Sequence, residues 1–245
     1  MDKMLYVAMS GARQVMLKQA TNNHNLANIN TTGFKSDIDH FKAMPVYGPG
    51  QPAKVYAEDH RMGVSHAAGS IINTGRTLDI AINGNGFIAV QDVDGSEAYT
   101  RNGNLQITEQ GMLITSSGDP VLGEGGPITL TAYNNVQIGN DGTITVMPIG
   151  QAGGEIAVID RIKLVNPDLD TVKRNERGLF TTPELDEPAD ADVTLASESL
   201  ESSNVNAVNA LVTMIELSRQ FETQVKLMDA AKDNDVSAAK LLKLN

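Results

Sequence analysis

The stretch Leu78-Asp79-Ile80-Ala81-Ile82-Asn83-Gly84-Asn85-Gly86-Phe87-Ile88-Ala89-Val90 decides the fold. Its first apolar residues fall at alternate positions, Leu78, Ile80 and Ile82; a glycine-rich turn then interrupts the run, and a second apolar run follows. Period-two alternation belongs to a strand with one face buried, and Asn-Gly pairs supply the positive-φ residues that reverse a chain. The pattern recurs downstream. Asp94-Gly95 leads into Ala98–Arg101, Asn102-Gly103 into Leu105–Thr108, Gln110-Gly111 into Met112–Thr115, and Asn140-Asp141-Gly142 into Thr143–Val146. Short strands punctuated by glycine turns predict an all-β barrel or sandwich over residues 71–185.

Outward from this domain, residues 36–70 and 186–204 carry neither helical nor strand periodicity. Pro45, Gly48, Pro49, Gly50 and Pro52 mark the first as an extended connector. Pro188 and six acidic residues with no basic one mark the second as an acidic connector, expected to run beside the first.

The two ends follow a helical period. Within residues 1–35, Leu5, Met9, Ala12, Met16, Gln19, Asn23, Leu26 and Asn30 are spaced alternately by four and three, with Asp2 as the expected N-cap. Gly33 is the expected left-handed terminator, with Phe34 folding back on the last turn. Within residues 205–245, Leu211, Met214, Ser218, Phe221, Val225, Met228, Lys232, Asp235, Ala239 and Leu242 repeat that spacing, and Val208 and Ile215 widen the stripe. Ser203 or Asn204 is the expected cap. No Gly or Pro interrupts residues 204–245, so the helix reaches roughly 55 Å at about 1.5 Å per residue and needs a long partner. The expected fold class is α+β: N- and C-terminal helices pairing as a coiled-coil layer, extended linkers, and an inserted all-β domain. Asn and Gln at seam positions specify partner and register at a cost in stability, which points to regulated assembly.

Composition removes several function classes. The 245-residue chain has no Cys, which excludes disulfides, thiolate zinc sites and a Cys nucleophile, and its formal charge of −11 argues against nucleic acid as a partner. Residues 1–35 nevertheless carry four basic side chains against one acidic. The five apolar residues Leu5–Met9 are too few for a signal-peptide core or a membrane span.

Candidate chemistry is sparse. Gly84-Asn85-Gly86 lacks the third glycine and following helix of a nucleotide loop and is expected to be a hairpin turn; Gly123–Pro127 lacks the Lys-Ser/Thr of a phosphate loop. Asp92-Val93-Asp94-Gly95 opens like a calcium loop, but Gly103 stands where the bidentate Glu belongs. His24, His40, His60 and His66 form no close pair on a helix face, and no Gly-x-Ser-x-Gly elbow occurs. Asp79, Asp92, Asp94, Glu97, Glu109, Asp119 and Asp141 include no distinguished pair for acid/base work and mostly flank turns. The methionines at 4, 9, 16, 214 and 228 are packing residues before they are a metal or haem box. No cofactor, metal or catalytic group is expected.

Three segments resemble one family. Asn25-Leu26-Ala27-Asn28-Ile29-Asn30-Thr31-Thr32-Gly33-Phe34-Lys35 is similar to the N-L-A-N-x-x-T-x-G-F-K signature of the axial proteins of the bacterial flagellum, the rod, hook and related subunits. Gly75–Phe87 with Ala98–Gly103 resembles the β-domain motif of rod and hook proteins, and Ser203–Asn206 with Met214-Ile215 and Arg219–Glu222 resembles their C-terminal helix signature. Together they cover essentially the whole chain. The opening Met1–Ala12 and the length look most like a proximal rod subunit; distal rod subunits are slightly longer and hook proteins much longer.

The resemblance implies a non-enzymatic subunit whose terminal helices pack with neighbours into a tube around an export channel, transmitting motor torque to the hook. Export would use the flagellar type III apparatus without a cleaved signal, with assembly in the periplasm. The expected partners are further copies and other rod subunits, proximal and distal, with no nucleic acid and no transmembrane segment. The expected subunit interface comprises Leu5, Met9, Ala12, Met16, Asn25, Leu26, Asn28, Gly33 and Phe34 at the N-terminal end. At the C-terminal end it comprises Asn204, Val205, Leu211, Met214, Ile215, Phe221, Val225 and Met228. The rival from another class is a β-sandwich binding module or carboxylate enzyme with helical oligomerisation arms.

Overall fold

The computed structural model describes residues 3–45, 55–130, 133–148, 156–183 and 186–243. The expected Asp2 cap and the prolines and glycines at 48–52 lie outside them. The chain forms two compact units: Met1–Asn28 with Ser36–Ser65 and Val205–Asn245, and Ile29–Lys35 with His66–Asn204.

The first unit holds two long helices, α1 (Lys3–Ala27) and α2 (Ala207–Lys243), and an antiparallel pair of strands, Asp37–Pro45 with Val55–Val64. This strand pair occupies the region expected as an extended connector. The helices lie antiparallel: the Asn22 side-chain amide donates to the Ala210 carbonyl at 2.8 Å, and Gly11 faces Gln224. Their contact line is also spaced alternately by three and four, through Leu5, Ala8, Ala12, Val15, Gln19, Asn22 and Leu26 on α1. On α2 it runs through Ala210, Met214, Leu217, Phe221, Gln224, Met228 and Ala231. Every second position therefore stands one residue from the expected stripe, and Met9 and Met16 are 52% and 58% exposed. The reason is steric. Ala8, Gly11, Ala12 and Ala210 let two helix backbones approach in a way that Met9 and Met16 at the α1 seam would not, and periodicity alone does not separate adjacent lines on a helix.

Asn206 is the N-cap of α2, its side-chain oxygen accepting the Asn209 N–H at 3.1 Å, in place of the expected Ser203 or Asn204. At the other helix, α1 ends at Ala27, where the Asn28 amide side chain donates to the His24 carbonyl at 2.9 Å. Gly33 is left-handed as expected, at φ 67°, but lies beyond the helix and serves a different contact.

The second unit is mostly β. Its core gathers Ile80, Ile88, Val90, Leu105, Leu113, Val121, Ile128, Ile144 and Ile162, all essentially inaccessible. The largest sheet orders Leu164–Val165, Phe87–Gln91, Glu97–Thr100, Phe180–Thr181 and Lys173–Arg174; a second orders Tyr133–Ile138, Thr143–Pro148 and Ala157–Arg161. Several two-stranded sheets complete it, linked by single bridges such as Val90–Val121 and Gly123–Ile162, so among the described residues the unit is an assembly of small sheets instead of one continuous barrel or a two-sheet sandwich. The turns at Gly95, Gly111 and Gly142 join sequential antiparallel strands, as expected, each glycine at positive φ. The turn at Gly84–Gly86 does not form the expected hairpin. Ile80–Asn83 pairs with Thr194–Ser197, whereas Phe87–Gln91 pairs with Glu97–Thr100, so this turn moves the chain between sheets. The stretch expected as an acidic connector thus contributes Thr194–Ser197 to one sheet, and Ser199–Glu201 pairs with Ile71–Asn73 in another.

Candidate assembly interface

In the first unit, one line of α1 and one of α2 cover each other and leave apolar side chains elsewhere. On α2, Val208, Leu211, Val212 and Ile215 are 68%, 49%, 49% and 56% exposed. At about 100° per residue they centre on the face opposite the Ala210–Leu217–Ala231 line. Tyr6, Met9 and Met16 form a second exposed row on α1. α2 also outruns its partner: α1 has 25 residues and α2 has 37, and the described side chains from Lys232 to Lys240 are all exposed.

The expected interface residues divide accordingly. Met9, Met16, Leu211 and Ile215 present apolar surface to solvent, Ala12 is buried in the pair, and Leu5, Leu26, Val205, Met214, Phe221, Val225 and Met228 are half-buried. The asparagines work within the chain. Asn25 grips the backbone of Asp37 with both ends of its amide, donating to the carbonyl at 2.9 Å and accepting the N–H at 2.8 Å. Next to this grip, His24 Nδ1 lies 2.7 Å from Asp37 Oδ2, and Thr21 donates to Asp39 at 2.9 Å.

In the second unit, Gly33 donates its N–H to the Glu201 carbonyl at 2.8 Å, and Asn204 donates its N–H to the Phe34 carbonyl at 3.2 Å. The Arg174 guanidinium lies over the Phe34 ring at 4.7 Å. Beneath them Lys35, Glu201 and Arg101 form a buried charge cluster, the salient feature that motif spacing did not reveal; the signal available was Lys35 ending an otherwise uncharged motif. Burial pushes the Lys35 ammonium below its ordinary pKa, against the Glu201 hydrogen bond. Burial also works to raise Glu201, but the Lys35 hydrogen bond and the Arg101 charge hold its carboxyl below the usual range.

The scattered carboxylates serve turns and ion pairs. Asp94 and Asp141 accept the N–H groups of Ser96 and Thr143 at 3.0 and 3.1 Å, and Arg177 bridges Asp92 and Asp119. Among the described residues no group of three or more His, Asp or Glu is placed to hold a metal, and no helix is long and apolar enough to cross a membrane. The side chains of His40 and His60 lie outside the described residues.

Comparison with known proteins gives the same regions their counterparts. Residues 5–35 match the profile of the flagella basal body rod protein, residues 81–146 that of the flagellar hook protein FlgE/F/G D1 domain, and residues 196–241 that of the flagellar basal body rod FlgEFG protein C-terminal region. The flagellar basal-body rod protein FlgF of Salmonella typhimurium is 36% identical over 252 residues, and that of Escherichia coli 37% over 254, each alignment spanning all of both chains. FlgG of Buchnera aphidicola is 32% identical over 254 residues, covering 93% of this chain and 95% of its own. The chain belongs to the FlgF family of flagellar basal-body rod proteins and is a structural, non-enzymatic subunit of the rod.

Proposed function

We propose that the helix pair is the assembly element of this rod subunit and that neighbouring subunits, further copies included, cover its exposed apolar rows to build a coiled-coil layer. The observation that carries this is the face formed by Val208, Leu211, Val212 and Ile215, turned away from α1. Four adjacent aliphatic side chains, each about half to two-thirds exposed, forgo roughly 1 kcal/mol each of burial, which a neighbouring helix recovers. A helix with apolar rows on two faces takes a partner on each, and a head-to-tail contact that does not close a ring propagates as a tube. A tube of interlocked helices transmits torque from motor to hook. Because this layer forms outside the cytoplasm, the subunit passes through the flagellar type III apparatus without a cleaved signal and assembles in the periplasm.

The test is a pair of variants, Val208→Asp and Ile215→Asp, on the exposed face of α2. Purified monomers keep the helicity and melting temperature of the parent, while incorporation into basal bodies and swimming are lost. Normal incorporation of both variants refutes this interface.

A further inference from the structure

The chain passes between the two units four times, after Asn28, Lys35, Ser65 and Asn204. Within the second unit, the segments beside all four crossings converge on one side chain. Glu201 Oε1 accepts Lys35 Nζ at 2.7 Å and the Gly69 N–H at 2.9 Å, and Oε2 accepts Arg101 Nη1 at 3.0 Å. Lys35 Nζ also donates to the Ala67 carbonyl at 2.9 Å, which the Asn204 amide reaches at 3.0 Å, and the Glu201 carbonyl accepts Gly33. Arg101 fastens the cluster to the sheets through Gly84 O at 2.6 Å and lies 5.5 Å from the centre of the Phe87 ring. Side chains of Lys35, Arg101 and Glu201 are 3%, 4% and 1% exposed. A carboxylate buried to this degree holds its position because each hydrogen bond would otherwise be left unmade in a medium without water.

Packing enforces the same convergence. A Cβ at Gly33 would stand 2.2 Å from the Arg101 carbonyl oxygen, and one at Gly69 1.9 Å from that of Ser202.

We propose that Glu201 is a load-carrying clasp: with Lys35 and Arg101 it fastens the crossing segments to the β-unit, so that force arriving along them enters the core sheets. Glu201 is a positioning residue, and the Gly33-Phe34-Lys35 half of the N-terminal motif serves this clasp inside the protomer instead of a subunit interface. The load-carrying part rests on the torque-transmitting rod reading; the clasp itself does not.

The experiment is hydrogen exchange on the full-length monomer of Glu201→Gln, with Lys35→Met as a second variant should the first fail to fold, followed by swimming speed against medium viscosity in strains carrying each. The expected result is exchange faster by about tenfold or more at the Gly33 and Gly69 amides with protection kept at Ile88–Val90, and a speed that falls more steeply with viscosity than the parent's. Unchanged exchange at Gly33 and Gly69, or an equal rise throughout the core strands, overturns the clasp. A local rise with the parent's viscosity dependence overturns its load-carrying role. Failure of the rod reading itself shows separately, as normal incorporation of the Val208 and Ile215 variants.

Discussion

Gly33 stands at φ 67°, with a Cβ position 2.2 Å from a backbone carbonyl of Arg101. Backbone cannot swing aside as a side chain can, so Gly33→Ala combines left-handed strain with displacement of the Arg101 segment. We expect a loss of about 2–3 kcal/mol in urea unfolding of the monomer. Gly75, also left-handed but with open space around it, is the control, and its alanine variant is expected to lose only about 1 kcal/mol. The buried carboxylate beside Gly33 fixes the acid limb of stability. Glu201 is held below its ordinary 4.5 despite burial, by Lys35 first and then Arg101, and the His66 imidazole is lowered by burial first and then by the Lys35 charge. A depressed carboxylate pKa adds stability that is complete above the unfolded value and lost as pH falls through the folded one. Unfolding midpoints measured from pH 6 down to about 3 are therefore expected to fall less steeply for Glu201→Gln than for the parent. At this scale the sequence was half legible. Gly33 advertised a left-handed residue and Lys35 an isolated charge, but Glu201 lies 166 positions beyond Lys35, and nothing local points across that gap.

Both helices were legible as elements because their signal is local: an uninterrupted apolar period, and no Gly or Pro after Asn204. Which line of each faces the other was not, since Met9 and Ala8 are adjacent and either satisfies the alternation. Small residues decided it, through the closeness of approach they allow. Gly11 tests the limit of that approach. A Cβ there meets only the end of the Gln224 side chain, at 3.0–3.3 Å, and a flexible amide gives way where a backbone does not. The helix-propensity gain of Ala over Gly, about 1 kcal/mol, then wins, and Gly11→Ala is expected to raise the monomer's melting temperature. A fall would mean that Gln224 is fixed. At the other end of the pair, Asn206→Ala removes the α2 cap and is expected to cost about 1 kcal/mol, seen as faster exchange in the first turn at Ala207–Ala210. Strands and glycine turns were legible on the same local grounds. Their pairing was not: Ile80–Asn83 finds Thr194–Ser197, a partner set by long-range burial that no turn residue encodes.

Across the whole molecule, the β-unit encloses a core of its own and exposes apolar side chains at Ile71–Ile72 and Ile156–Ile159, while the helix pair leaves whole apolar rows open. A protein selected for monomer stability would cover such rows or replace them with charge. Their retention in a rod-family subunit makes sense if burial is completed by neighbours. The same logic applies to length. α2 continues past Ala231, its last buried residue among those described, and every described side chain of Lys232–Lys240 is exposed, so these side chains contribute little to holding their own protomer together. A helical end of about 18 Å gains its stability from packing and not from propensity alone. Deleting residues 232–245 is therefore expected to leave the monomer's cooperative unfolding and midpoint close to the parent's while abolishing incorporation into basal bodies. If the deletion instead lowers the midpoint by several degrees, the overhang is part of the protomer's own fold. If it leaves swimming intact, neighbouring subunits do not use it, and the assembly contacts are confined to the apolar rows nearer the start of α2.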